Sequence, residues 1–209
     1  MPNLKATSRK ITQELDKLQR QITTKLERYY KQNIKGSQLP AEFIRQNDKQ
    51  IKGIIRDTVQ SSWLFAHGII SDIIADRVDL TTKDIQGIES LTNSFEEQFW
   101  ALSHKLLTRD TEFKVSGGEY IELTPFDVHA GFIGLGGWFA YYAFNYSVES
   151  KAGELGGIVK LKFVTREQCI DTQICLPLNG TLYNVGEVPF QLPLHKHCKC
   201  RLIPVLSQP

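Results

Sequence analysis

The chain of 209 residues is 41% hydrophobic and 23% charged with a formal net charge of +2, which excludes a disordered polyelectrolyte and supplies apolar material for one core or two small ones. The near-neutral total conceals an asymmetry, because residues 1–35 carry nine Lys/Arg against three Asp/Glu and residues 51–110 carry six against nine. The opening MPNLKATSRKITQELDKL is polar and helical in pattern, without the apolar core of a secretory signal, so the expectation is a protein made and kept inside a cell.

In chain order, the first 33 residues predict one amphipathic helix. Ile11, Leu15, Leu18, Ile22, Leu26 and Tyr29 recur at steps of three and four, which places them on one face, with Lys17, Arg20, Lys25 and Arg28 elsewhere. Three uses fit that pattern: a bundle helix with a solvated basic face, a coiled-coil partner, or a nucleic-acid-binding arm. KQNIKGSQLPAEF then breaks the period with Gly36 and Pro40 and reads as a linker. Ile51, Ile55, Val59, Trp63 or Leu64, Ile70, Ile73 and Ile74 predict a second helix. Thr81 with Asp84 three residues on forms an approximate capping box for a third, striped by Ile85, Ile88, Leu91, Phe95, Phe99 and Leu102. His67 and His104 stand alone in these patterns and are read as packed or surface residues. Residues 111–125 suggest a short hairpin or loop around Gly117 and Gly118.

Residues 130–148, AGFIGLGGWFAYYAFNYSV, contain no charge. Nineteen residues reach the lower range of a membrane span, but four glycines, three tyrosines, Asn145 and Ser147 favour a buried helix or protein interface, and membrane insertion is not expected. His129, just outside, has no visible partner. After Gly156 and Gly157 the period shortens to two, with Val159, Leu161 and Phe163 alternating against lysines as in a strand. Asn179-Gly180 marks a turn, and a last strand follows LHKHCKC.

That segment concentrates the chain's reactive side chains. Five residues separate Cys169 from Cys175, nineteen separate Cys175 from His195, and two separate His195 from Cys198, so two ligand pairs bracket a loop, with Cys200 and His197 as further donors. In extended chain, Cys198 and Cys200 would point to one side and Lys199 and Arg201 to the other. Zinc held by Cys169, Cys175, His195, Cys198 and Cys200, drawn on four at a time, suits a module too small to bury much apolar area. Disulfides, or cysteines buried and reduced, remain alternatives. So does a Cys198 nucleophile flanked by His195 and His197, with Asp171 to orient them. No phosphate loop, dinucleotide fingerprint or helical zinc-protease motif accompanies it.

Residues 157–205 resemble the C-terminal module of the tailed-phage minor head, or head morphogenesis, proteins of the Mu F-like type. Cys175 with Leu178, Asn179 and Gly180 matches that family's second cysteine and turn, and Pro193, His195, Cys198, Lys199, Cys200 and Pro204 match its terminal signature. The family's Cys-x-x-Cys would place the first cysteine at Thr172, where this chain offers Cys169 instead. The resemblance implies a non-enzymatic virion component inside the head near the portal. Its assembly would take place in the host cytoplasm, with the portal protein and other head proteins as partners and an effect on head assembly, DNA packaging or DNA ejection. The basic first helix could meet portal acids or packaged DNA. A zinc-stabilised nucleic-acid-binding adaptor and a cysteine-dependent hydrolase are the alternatives. The expected fold class is α+β: a basic amphipathic helix over 1–35, a helical domain over 36–150, and a small β-rich Cys/His module over 151–209.

Overall fold

The computed structural model describes residues 4–33, 41–107, 113–114, 120–121, 125–166, 173–194 and 198–207. Four long helices precede a three-stranded antiparallel sheet, an α+β arrangement. Helix α1 (Leu4–Asn33) buries all six apolar residues of its predicted stripe. Helix α2 (Ala41–Ile74) starts within the stretch read as linker, directly after Pro40, and runs antiparallel to α1, since Lys10 pairs with Asp72 and Lys25 with Asp57. Of the two aromatic or aliphatic choices on its stripe, Trp63 is buried and Leu64 is exposed. Gly87 explains the choice: a Cβ there would stand 2.4 Å from the Trp63 ring, so the missing side chain is the ring's seat.

Helix α3 (Thr82–Leu107) opens with the expected capping box, in which the Asp84 amide donates to Thr81 Oγ1 (3.3 Å) and the Thr81 amide donates to Asp84 Oδ2 (2.8 Å). Ile88, Leu91, Phe95 and Phe99 of its stripe are buried, the side chain of Leu102 lies outside the described residues, and Ile85 departs from expectation. Ile85 is 53% exposed, because the first turn directs Asp84 inward instead. Strands β1 (Phe113–Lys114) and β2 (Tyr120–Ile121) pair antiparallel as a short hairpin.

Helix α4 (Pro125–Glu154) is the centre of the molecule and longer than its uncharged stretch at both ends. It packs on α1, α2 and α3, so little of its circumference reaches water. Between residues 136 and 148 the least buried positions are Trp138, Tyr142 and Tyr146, spaced four apart and stacked on one another with ring centroids 5.7 and 6.2 Å apart. Gly136 and Gly137 let α1 approach: a Cβ on Gly136 would lie 2.5 Å from Thr23 Oγ1 and 3.1 Å from the Gln19 carbonyl. At the same crossing Gln19 Nε2 donates to the Ile133 carbonyl at 2.9 Å. No helix among the described residues is long and apolar enough to cross a membrane.

Strand β3 (Val159–Val164) lies between β4 (Leu182–Tyr183) and β5 (Arg201–Leu206), antiparallel to both, with Leu161 opposite Pro204 and Val164 opposite Arg201. β5 is an edge strand, where Pro204 costs no ladder bond. At the predicted Asn179-Gly180 turn, Gly180 takes φ +89° and its amide donates to the Phe163 carbonyl at 2.8 Å. The sheet does not enclose a core of its own. Val159, Leu161, Phe163, Leu202 and Ile203 join Ile11, Leu15, Ile69, Tyr141, Phe144 and Val148 in one apolar cluster. A second cluster fills the other end of the helices with Ile22, Leu26, Trp63, Phe95, Phe99 and Phe139. The strands thus bury their inner face on α1, α2 and α4, which supplies the area that about fifty residues lack.

Candidate metal centre

Residues 198–200 run extended into β5 and so alternate sides. Cys198 and Cys200 turn inward, where they meet Cys175 from the short helical turn that precedes β4. All three thiols are buried, and their sulfurs lie within 4.8 Å of one another, with Cys175 Sγ 3.9 Å from Cys198 Sγ. No disulfide joins them. Contact with the Cys198 thiol, followed by burial, pushes the Cys200 thiol far above the ordinary range, so in the absence of a metal it stays protonated.

The donor set suits a thiophilic ion. A tetrahedral ion bound to thiolates at about 2.3 Å sets its sulfurs about 3.8 Å apart, so the Cys175–Cys198 separation needs almost no change and the others about 1 Å at most. Cys175, Cys198 and Cys200 could therefore hold a metal ion. Of the five expected ligands these three are brought together, while Cys169 and His195, like His197, lie outside the described residues. As a nucleophile Cys198 is poorly placed: it is 4% exposed, in an apolar cluster.

The alternate side chains bind α1. Lys199 Nζ donates to Asp16 Oδ1 at 2.8 Å, the Tyr141 hydroxyl donates to the same oxygen at 2.9 Å, and Arg166 reaches Oδ2 at 3.2 Å. Burial alone would raise the Asp16 pKa, but the Lys199 and Tyr141 hydrogen bonds and the cations outweigh it and hold the carboxyl below its usual range. Arg201 is buried, with Nη2 donating to the Ser8 carbonyl at 3.1 Å and to the Ser8 hydroxyl. Asn145, the polar interruption in the uncharged helix, fastens the same segment to α4. Its Oδ1 accepts the Leu202 amide at 2.8 Å and its Nδ2 donates to the Cys200 carbonyl at 3.3 Å.

A second polar centre lies at the junction of α2, α3 and α4. Asp84 Oδ1 accepts Trp63 Nε1 at 2.9 Å and faces His67 Nε2 at 3.2 Å, while Oδ2 accepts Thr81 and, at 3.1 Å, Lys151 Nζ. Lys151 also reaches Glu154 at 2.6 Å. Burial disfavours the Asp84 charge, yet the Thr81, Trp63 and Lys151 hydrogen bonds prevail and keep it ionised well below the carboxylate range. Because an ionised carboxylate only accepts, His67 carries its proton on Nε2, and its Nδ1 is a buried acceptor without a partner among the described residues. Burial lowers the His67 pKa and keeps the ring neutral. His67 is thus a packed residue, as expected, but Lys151 gave no sequence signal beyond lying in the last turn of a helix.

Searches of protein-family models, curated proteins and solved structures return no match to this chain.

Proposed function

We propose that this chain is a non-catalytic structural component of a tailed-phage head, of the minor head type, whose C-terminal module is pinned by one zinc ion bound to Cys175, Cys198 and Cys200. The observation that carries the reading is the convergence of those three sulfurs in the interior. They are the cysteines on which the Mu F-like resemblance rests, and they come from two segments that the turn preceding β4 and the approach to β5 bring together. Three thiolates leave one corner of a tetrahedron for a fourth donor; with that corner filled by a side chain of this protein the site is closed, and a closed, buried site serves folding more readily than chemistry. Structural zinc contributes about 10 to 16 kcal/mol in small peptides, ample to hold the approach to β5 in place.

In this role the chain sits inside the head near the portal and affects assembly, DNA packaging or DNA ejection. Native mass spectrometry of the full chain is expected to find one zinc, lost on Cys198→Ser; apo protein with every thiol alkylatable would defeat the metal assignment. Co-expression with a portal protein from the same genome is expected to give a complex that survives nuclease, and failure to form one would count against the head assignment. The basic face of α1 supports a second reading, a zinc-stabilised nucleic-acid-binding adaptor. Arg9, Lys17, Arg20, Lys25 and Arg28 are all exposed along that helix. That reading predicts binding of the isolated chain to DNA that weakens steeply with salt.

A further inference from the structure

Residues 198–202 face three neighbours in turn. Cys198 and Cys200 enter the sulfur cluster, Lys199 and Arg201 reach Asp16 and Ser8 of α1, and the Cys200 carbonyl and Leu202 amide are taken by Asn145 of α4. Extended chain repeats every two residues, so whatever fixes the sulfurs also fixes the register of the two cations.

The two halves of α1 rest on different supports. Ile11, Leu15 and Leu18 belong to the apolar cluster that contains the cysteines, and their polar anchors are Asp16 and Ser8. Ile22, Leu26 and Tyr29 belong to the other cluster, and at the boundary Gln19 bonds the Ile133 carbonyl beside the Gly136 crossing. Losing the supports of the first half leaves those of the second intact.

We propose that metal occupancy at Cys175, Cys198 and Cys200 is coupled to the docking of the N-terminal half of α1, so that removing the metal releases residues 4–18 while α2 and α3 stay folded. The inference rests on the metal reading above. In the stripped state the first turns keep their apolar contacts and the Lys10–Asp72, Tyr141–Asp16 and Arg166–Asp16 pairs, which are partly exposed and weak, but lose Lys199 and Arg201 as these lose the register that aims them. The released segment carries Lys5, Arg9, Lys10 and Lys17 and uncovers Ile11 and Leu15, so metal loss converts a packed helix into a basic amphipathic arm.

Hydrogen exchange by mass spectrometry tests this on the full chain, zinc-loaded and chelator-stripped, with zinc content counted in each sample. Amides of residues 4–18 are expected to exchange at least about tenfold faster after stripping, with α2 over 55–70 and α3 over 88–99 unchanged. Linkage requires the converse: Asp16→Asn is expected to weaken zinc affinity by about fivefold or more in competition with a chromophoric chelator, whereas the exposed Arg20→Ala leaves it unchanged. Bound zinc with unaltered α1 exchange overturns the coupling and leaves the metal site standing. Loss of protection throughout α2 and α3 also overturns it, since the metal then holds the whole fold. Failure to bind zinc at all removes the metal reading and the coupling together.

Discussion

Two carboxylates tie this molecule together, and they differ in depth. Asp84 joins α2, α3 and α4 with its side chain 1% exposed, and Asp16 joins α1, α4 and the approach to β5 with its side chain 18% exposed. Each accepts a hydrogen bond from α4, through Lys151 and Tyr141 respectively. At Asp84 the partners Trp63, His67 and Lys151 are nearly as buried as the acid, while Thr81 lies at the surface, so its charge depends on the buried partners and that of Lys151 on it. At Asp16 the partner cations, Lys199 and Arg166, keep 23% and 34% exposure, and water can replace what either loses. The inner junction is therefore costly to break and fixed, whereas the outer one is cheap to break and suited to opening.

The sharpest way to break that contrast is Asp84→Ala. It leaves Lys151 buried beside Glu154 alone and orphans Trp63 Nε1, and a loss of about 3 to 5 kcal/mol is expected in urea unfolding. A loss under about 1 kcal/mol would make the two junctions equivalent.

An intermediate effect is expected from acid. His67 faces Asp84, Lys151 and Glu154, and its folded pKa lies below the unfolded value near 6.5. The folded state then binds fewer protons than the unfolded chain, so His67 costs no stability above about pH 7 and an increasing amount as pH falls below about 6.5. Asp84, shifted the other way, keeps its full contribution above about pH 4 and loses it only as pH falls further. His67→Gln, which can still donate to Asp84 but does not titrate, should hold a constant offset from the native chain above pH 7 and gain on it between pH 6.5 and 4.5. Parallel urea midpoints across that window would remove His67 from the junction's electrostatics.

The smallest effect belongs to Asp16→Asn, which keeps an acceptor for Tyr141 and gives up partly solvated ion pairs. A loss of about 1 kcal/mol or less is expected, falling further in high salt. A loss matching that of Asp84→Ala would show that the outer junction is not the weaker one.

Periodicity disclosed most of the helical fold, because apolar residues that must share a face can be counted along the chain. All six stripe residues of α1 are buried, and the alternation of Val159, Leu161 and Phe163 marks the inner face of β3. What periodicity missed or left open depends on residues distant in the chain. Ile85 fits the stripe arithmetically but lost its place to Asp84, whose partner Lys151 is 67 residues away. The choice of Trp63 over Leu64 depends on Gly87, a glycine whose function appears only when two helices meet. At the candidate metal centre, spacing and residue type pointed to the two segments whose cysteines the fold brings together, while Cys169 and His195 lie outside the described residues. The convergence of Cys175 with Cys198 and Cys200 could be suspected from the chain, but the Asp16–Lys199 contact that joins the same segment to α1 spans 183 residues and has no local signal.

The crossing of α1 over Gly136 and Gly137 has a mechanical consequence. Asp16 and Tyr141 meet about one and a half turns from that crossing, so the closeness of the two backbones there works as a gauge for their reach. Widening the gap by a single methyl would push the first turns of α1 outward and lengthen a 2.9 Å hydrogen bond that is already at the long end for a hydroxyl and a carboxylate. Two absent side chains deep in the helices thereby set the tension on a contact at the edge of the sulfur cluster.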